Sequence, residues 1–192
     1  MDQNFTRSVL SWYDAGHRDL PWRHTKDAYR IWVSEIMLQQ TRAETVVSYY
    51  ERFLARYPDV RALADAPEEE LLKAWEGLGY YSRARLLQKA ARAIVSQYGG
   101  ELPADLKKLR ALPGVGDYTS GAIASIAFGI PAAAVDGNVE RVICRYFAIS
   151  EEMGSPKSRR MIHELAQSLV PPDRPGAFAN AMMEMGATMC TP

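Results

Sequence analysis

The chain has 192 residues, 47% of them hydrophobic, and 23 basic residues against 23 acidic ones. The length suits one large domain or two small interlocked lobes, and no apolar run approaches the roughly 18–20 residues of a membrane span. The zero formal net charge argues against nucleic-acid binding through bulk charge, although a few placed basic groups can still contact phosphates. Asp2 and the lack of an apolar N-terminal segment predict no secretory signal, so a bacterial-type cytoplasmic protein is expected.

Apolar residues recur at helical spacing along the chain, and no alternating pattern of convincing length indicates a β-strand. The predicted helices cover 4–13, 28–40, 42–56, 67–75, 82–98, 105–112, 118–128, 139–149, 157–169 and 177–189. Asp27 is the expected N-cap of the second helix, Pro67 is expected in the first turn of the fourth, and Gly99 with Gly100 is expected to end the fifth. The sequence therefore predicts an all-α protein with short connections.

A sharp glycine turn joins two predicted helices in the segment LRALPGVGDYTSG, residues 109–121. Gly114 and Gly116 lack side chains, so the backbone can approach another group closely there. Their N–H groups and the N-terminus of the next helix offer a cradle for an anion such as a nucleic-acid phosphate. The alternative is a plain corner that requires glycine. The apolar frame, with Val115 at the tip of the turn, favours the helix–hairpin–helix pattern of DNA repair proteins.

One charged residue, Glu35, interrupts the apolar segment IWVSEIML. Large apolar neighbours share its helix face, and burial among them disfavours the carboxylate anion. This favours a protonated carboxyl that can act as a general acid. The alternative is a narrow solvated side of the helix, with Glu35 in water. The amides of Gln39 and Gln40 follow at once and can bond base edges or fill the gap left by a flipped base.

Asp136 stands before a predicted helix in the segment VDGNVER, residues 135–141. One interpretation is an ordinary N-cap. The other is an ionised carboxylate at a helix N-terminus, where it can oppose a developing positive charge. Glycosidic cleavage uses such a pair of carboxyl groups, one protonated for the leaving group and one anionic for the sugar. Glu35 and Asp136 are about a hundred residues apart, so their pairing is a hypothesis.

Six blocks in the same order carry a resemblance that extends over essentially the whole chain. They read LPWR (20–23), WVSEIMLQQTR (32–42), WEGLGYYSRARLL (75–87), LPGVGDYTSGAIASIAFG (112–129), VDGNVERV (135–142) and NAMMEMGATMCTP (180–192). With them the chain resembles the helix–hairpin–helix DNA glycosylases of the endonuclease III superfamily, and among these the adenine-excising members. The resemblance implies a two-lobed helical glycosylase fold with a DNA cleft between the lobes. A six-helix module over 25–131 would carry the hairpin (109–128), and 1–24 with 132–192 would form the second lobe.

The resemblance also implies catalytic roles. Glu35 matches the acid that protonates the adenine, and Asp136 matches the carboxylate that stabilises the sugar cation, with Asn138 helping to order that site. Tyr118 falls where the strand-cleaving members carry a nucleophilic lysine, and a tyrosine cannot form a Schiff base. The chain is therefore expected to be a monofunctional glycosylase that hydrolyses the N-glycosidic bond with water.

A second set of matched residues is expected to contact DNA. Gln40 corresponds to the residue wedged into the base stack, and Thr41 and Leu78 correspond to residues near the opposing 8-oxoguanine. The other members are Arg18, Trp22 and Glu184 at the adenine pocket, Gly114, Val115 and Gly116 at the phosphate-binding hairpin, and Tyr80 and Arg83 facing the DNA. For Tyr80 and Tyr81, packing in the core is the alternative.

The chain has two cysteines, too few for a disulfide scaffold or a closed metal site. Cys144 lies in the apolar run VICRYF and is expected to be a buried thiol. Cys190 matches the first of four cysteines that hold a [4Fe–4S] cluster in the resembled family, and such a cluster needs four ligands. We therefore expect a chain truncated at the start of the iron–sulfur loop, without the cluster or the family's 8-oxoguanine-reading domain, that binds DNA weakly.

The expected activity is removal of adenine mispaired with 8-oxoguanine or guanine in double-stranded DNA, by a monomeric, nucleoid-associated enzyme. Two alternatives stay open. A mismatch thymine or uracil glycosylase of the same superfamily shares the hairpin, the aspartate and sometimes the tyrosine. A non-catalytic helix–hairpin–helix module would use the hairpin alone, but it has no need of both Glu35 and Asp136.

Overall fold

A computed structural model describes residues 3–151 and 154–191, and every regular element in these residues is helical. The prediction of an all-α fold is confirmed. The helices are α1 (Gln3–Ala15), α2 (Ala28–Leu38), α3 (Ala43–Arg56), α4 (Val60–Asp65), α5 (Glu68–Ala74), α6 (Ser82–Tyr98), α7 (Leu106–Arg110), α8 (Asp117–Phe128), α9 (Gly137–Tyr146), α10 (Pro156–Leu169) and α11 (Pro175–Thr188), with a 3₁₀ turn at Pro21–Arg23. Not one of the described helices has the length and apolar character needed to cross a bilayer.

Local sequence signals explain most helix ends. The Asp27 side chain accepts a hydrogen bond from the Arg30 N–H (3.0 Å), as predicted for the N-cap of α2. Gly99 ends α6 with a φ of 66°, a left-handed conformation that glycine adopts without a Cβ penalty. Pro67, predicted in the first turn of α5, is instead its N-cap residue. The sequence reasoning missed α4, whose six residues are too few to show a helical period.

One compact unit comprises Leu20–Thr119, and we call it the hairpin unit because it contains the glycine turn. It holds α2 to α7, with α4 packed on α6 and α2 packed on α3 and α6. Its interior is filled by apolar side chains with almost no exposed surface. They include Trp32, Phe53, Leu63, Leu71, Trp75, Leu87, Ile94 and Leu109. Tight packing of these large side chains holds the helices that carry the predicted site residues.

The second compact unit, here the terminal unit, is formed by the chain up to Asp19 and from Ser120 onward. In it α11 packs against α1 and α9, and α10 packs against α9. The core of this unit includes Val9, Ile143, Leu169, Phe178 and Met182. These units differ from the predicted division into 25–131 and 1–24 with 132–192, because α8 begins in the hairpin unit and continues in the terminal unit. The DNA cleft between lobes stays a prediction.

Candidate active site

Glu35 is a buried carboxyl with a hydroxyl partner. It lies near the end of α2, a helix whose residues from Ile31 to Met37 are all buried, and it is 3% exposed. The alternative of a solvated side chain is therefore wrong. Its Oε2 accepts a hydrogen bond from the hydroxyl of Tyr118, in the first turn of α8. Because α8 follows the glycine turn directly, the hairpin positions the hydroxyl, and the hairpin unit brings two predicted catalytic residues together.

Asp136 uses both carboxylate oxygens at the start of α9. Oδ1 accepts a hydrogen bond from the Val139 N–H at 2.8 Å, which is N-capping geometry. Oδ2 accepts a bond from the side-chain Nδ2 of Asn138, also at 2.8 Å. The cap and the Asn138 amide together fix the orientation of the carboxylate, so the capping interpretation is correct and leaves the catalytic one open.

Arg141 extends this network, and the sequence reasoning missed it. Its Nη2 donates to Oδ1 of Asn138 (2.9 Å) and to the carbonyl of Gly186 (2.6 Å), and its Nε donates to the carbonyl of Cys190 (2.5 Å). Gly186 lies on α11, where an added Cβ would lie 2.6 Å from the carbonyl oxygen of Asn138. Arg141 thus ties Asn138 to the C-terminal end of α11. Arg141 follows Asn138 by three residues on the same helix, and this spacing could have predicted a contact between the two side chains.

Glu35 belongs to the hairpin unit and Asp136 to the terminal unit. Their convergence on one deoxyribose stays a prediction.

The glycine turn contains one glycine that the fold requires and one that it does not. Gly114 has a φ of 73°, and a Cβ there would lie 2.8 Å from Cβ of Leu86 on α6. Val115, predicted as an apolar tip, is buried at 5% exposure. Gly116 has no positive φ, and a Cβ there would meet no atom within 4 Å. Internal packing therefore explains Gly114, whereas the open space on the Cβ side of Gly116 leaves room for an external group to approach the backbone closely.

Two charged residues predicted at the adenine pocket form an ion pair in the terminal unit. Arg18 donates from Nε to Oε1 of Glu184 (2.9 Å) and from Nη2 to Oε2 (2.8 Å), and its main-chain N–H donates to Oε1 (3.1 Å). Glu184 is 2% exposed on α11, whereas the Arg18 side chain is 36% exposed. Such a two-pronged pair fixes both side chains in orientation. Trp22 lies in the hairpin unit, buried edge-on against Tyr50 with ring centroids 5.5 Å apart.

The residues predicted to face DNA differ in exposure. Tyr80 is 61% exposed and Tyr81 is 39% exposed, so core packing is wrong for both. Gln40 is exposed and Thr41 is half-buried, in the turn after α2. The Leu78 side chain is buried.

Arg83, which was predicted to face the DNA, is buried, so its side chain is not an exposed cation. It is 8% exposed, and its guanidinium donates to main-chain carbonyls at the end of α2 and in the segment before α6. Burial lowers the pKa of Arg83 from its ordinary value, and the nearby Tyr80 partly opposes this. The carbonyl oxygens compensate for the water that the guanidinium has lost.

The residues present do not fit the iron–sulfur cluster of the resembled family. Cys190 is half-buried, and its Sγ accepts a hydrogen bond from Nη1 of Arg145 (3.2 Å). Cys144, predicted to be buried, is half-buried on α9, where burial and Glu140 raise the pKa of its thiol. Over residues 3–151 and 154–191, no group of three or more His, Cys, Asp or Glu side chains could hold a metal ion. A four-iron cluster needs four ligands, so no chemical step is assigned to one.

Residues 33–172 match a family described as "HhH-GPD superfamily base excision DNA repair protein". The chain belongs to the HhH-GPD superfamily. The resemblance predicted from the six sequence blocks is thereby confirmed. The matched region contains Glu35, the glycine turn and Asp136.

The HhH-GPD chain is similar to proteins named for different target bases. It is 50% identical to an adenine DNA glycosylase of Homo sapiens over 197 residues, a match that covers 98% of this chain and 36% of the human protein. The structure of a thermostable thymine-DNA glycosylase superposes with a TM-score of 0.90 at 37% identity, covering 98% of this chain and 87% of that one. A trapped endonuclease III–DNA intermediate, at 24% identity and a TM-score of 0.81, shares the fold. The chain spans little more than a third of its human relative.

Proposed function

We propose that this HhH-GPD chain removes adenine mispaired with 8-oxoguanine or guanine in double-stranded DNA, as a monomer, by hydrolysing the N-glycosidic bond. The observation that carries the proposal is the buried Glu35 carboxyl held by the Tyr118 hydroxyl beside the glycine turn. An adenine anion is a poor leaving group, so its departure requires a proton, and a buried carboxyl can supply one. The identity of 50% to a human adenine DNA glycosylase supports adenine as the target.

In the proposed reaction, the main-chain N–H groups of Gly114 and Gly116 and the N-terminus of α8 hold a backbone phosphate, while the Val115 N–H donates to the Leu112 carbonyl. The adenine rotates out of the stack, and the exposed amide of Gln40 compensates for its lost stacking. Glu35 protonates the purine while the glycosidic bond lengthens. The carboxylate of Asp136, oriented by Asn138, stabilises positive charge on the sugar.

Water completes the proposed reaction and leaves an abasic site. Tyr118 carries a phenol where a Schiff-base enzyme needs an amine, so no covalent enzyme–sugar bond through this residue is expected. The proposed steps use no cluster.

The thymine-DNA glycosylase match supports a second candidate, in which the target is thymine opposite guanine. The buried Glu35 favours adenine, because purine departure benefits from an acid aimed at a ring nitrogen. The Arg18–Glu184 pair adds a buried carboxylate whose position and charge are set by a two-pronged guanidinium contact, a polar feature suited to fixing a base in orientation.

Single-turnover excision on duplexes of one sequence tests the proposal. The duplexes carry A opposite 8-oxoguanine, A opposite G, T opposite G and, as the control, A opposite T. We expect adenine release from the first two and alkali-labile abasic sites without direct strand cleavage. Faster release of thymine would instead establish the second candidate.

Glu35→Gln in the same assay tests the assigned acid. The amide keeps the shape of the side chain and can still accept the Tyr118 hydrogen bond, but it has no acidic proton. We expect loss of excision by at least a hundredfold, with affinity for the A opposite 8-oxoguanine duplex changed by less than threefold. Parental excision by this variant would show that another group donates the proton.

A further inference from the structure

Two exposed turns of the hairpin unit each hold a non-glycine residue in left-handed backbone. Gln40, in the turn Gln39–Thr41 after α2, has a φ of 59°. Tyr80, in the loop Leu78–Tyr80 before α6, has a φ of 46° and is 61% exposed. We call these segments the glutamine turn and the tyrosine loop. Residues with a Cβ adopt this conformation only where surrounding contacts enforce it.

A single guanidinium supplies contacts to both segments. Nη1 of Arg83 donates to the carbonyls of Ile36 and Met37, both at 3.0 Å, and to that of Gln39. Nη2 donates to the carbonyls of Leu78 (3.0 Å) and Gly79 (3.3 Å) and to the Thr41 hydroxyl (3.4 Å). Nη1 thus contacts the end of α2 and the first residue of the glutamine turn, and Nη2 contacts both the tyrosine loop and Thr41 of the glutamine turn.

The surroundings of Arg83 leave it little freedom. It is 8% exposed, and its guanidinium lies 5.6 Å from the ring centroids of both Trp75 and Tyr80. Its hydrogen-bond partners within the described chain are carbonyls and a hydroxyl, with no carboxylate among them. A cation is favourable here because the last carbonyls of α2 lack intrahelical donors and carry the negative end of the helix dipole.

We infer that Arg83 is a positioning residue, which holds the glutamine turn and the tyrosine loop together so that Gln40 and Tyr80 meet DNA as a preformed pair. The inference rests on the proposed function, in which flipping of the adenine leaves a gap in the base stack. Two flat side chains held in place beforehand lose less conformational freedom when they enter the stack than two on mobile turns. Lysine cannot replace the planar fork, because it offers one ammonium group in place of two divergent nitrogens.

Arg83→Lys in the whole chain tests this, with Gln88→Met as the matched control. Gln88 is also buried on α6, and its Nε2 donates to the carbonyls of Leu63 (3.2 Å) and Ala66 (2.7 Å), away from both segments. We expect at least tenfold faster amide exchange at 38–41 and 78–81 together in Arg83→Lys, and parental exchange there in Gln88→Met. Exchange at 109–121 should be parental in both.

Flipping is measured by 2-aminopurine fluorescence beside the target adenine, and duplex affinity by anisotropy. Arg83→Lys should reduce the flipping signal at least tenfold while affinity changes by less than threefold, and Gln88→Met should behave as the parent. A role in folding alone would instead affect the two variants alike. Parental exchange in Arg83→Lys, or faster exchange at only one segment, would overturn the inference.

A measurement on the parent covers the case in which Arg83→Lys does not fold. With rising denaturant, the amides of the glutamine turn and the tyrosine loop should open in one step with a common denaturant dependence. Opening of the two segments in separate steps would contradict their coupling through Arg83. If the parent neither flips nor releases adenine, the proposed function fails, whereas the exchange result still decides whether Arg83 couples the two segments.

Discussion

The two glycines of the turn allow a test that separates a residue needed for packing from one proposed to bind phosphate. Gly114→Ala would place a Cβ in left-handed backbone, at about 1–2 kcal/mol. That Cβ would also lie 2.8 Å from Cβ of Leu86, and overpacking of this kind costs about 1–3 kcal/mol more. At about 2–4 °C per kcal/mol for a chain of this size, the combined loss of roughly 2–5 kcal/mol corresponds to a fall in Tm of about 4–20 °C.

Gly116→Ala should behave differently, because a Cβ there meets nothing within 4 Å and the φ is not positive. Its free energy of unfolding should stay within about 0.5 kcal/mol of the parent. If a phosphate approaches the turn, however, the new methyl group blocks it. Loss of one or two charge-assisted hydrogen bonds, at about 1.5–3 kcal/mol each, predicts duplex affinity at least tenfold weaker.

Urea denaturation and fluorescence anisotropy with a labelled duplex at fixed salt measure the two quantities. The expected pattern is a destabilised Gly114→Ala protein and a stable, weakly binding Gly116→Ala protein. A Gly116→Ala protein with parental stability and parental affinity would refute the assignment of the turn as a phosphate site. Unchanged stability of Gly114→Ala would refute the packing argument.

Three further predictions concern the core and the terminal unit. Gly186→Ala, whose Cβ would lie 2.6 Å from the Asn138 carbonyl oxygen, should lower the free energy of unfolding by about 1–3 kcal/mol and slow single-turnover excision. Arg141→Met, which removes the bond to Asn138, should slow excision about 10–100-fold with parental duplex affinity, whereas Arg145→Met should not. Burial raises the pKa of Tyr50 from 10.0 to about 12, so the folded state retains a proton that the unfolded state releases, and stability should fall as the pH rises from 10 to 12. For Tyr50→Phe, the free energy of unfolding measured by urea denaturation should fall less steeply between pH 10 and pH 12 than it does for the parent.

Local chemistry made much of the fold predictable from the sequence. The bounds of α6 follow from an apolar period that stops at a glycine pair, and α2 starts where Asp27 caps it. The end of α9 was not predictable in the same way. The pattern extends to residue 149, but the helix ends at Tyr146, and Ala148 has a left-handed φ of 49°. The residues on either side of this turn are equally apolar, so composition does not indicate where α9 ends.

The burial of Glu35 was accessible to sequence reasoning, whereas that of Arg83 was not. Hardly any residue near Glu35 in α2 is polar, so no helix face is left for water. Arg83 instead begins an amphipathic helix with the exposed Arg85 two residues on, and the pattern is that of a solvated cation. Its burial depends on carbonyls supplied by backbone more than forty residues earlier in the chain. Such acceptors carry no side-chain signature, because every residue has a carbonyl.

The cap that Asp136 forms is compatible with its proposed catalytic role, and Asp136→Asn tests this role. An asparagine can still cap α9 through its oxygen, since Asn and Asp cap about equally well. Its amide would then face the Nδ2 of Asn138, and turning that side chain would sacrifice the 2.9 Å bond from Arg141. We expect a stability loss of about 1 kcal/mol by urea denaturation, and excision reduced at least a hundredfold with duplex affinity within threefold. Asp59→Asn, which alters a cap whose carboxylate accepts from Ala62, should cost almost nothing and leave excision unchanged. Parental excision by Asp136→Asn would show that capping is the only role of the Asp136 carboxylate, because capping is the one function that an asparagine preserves.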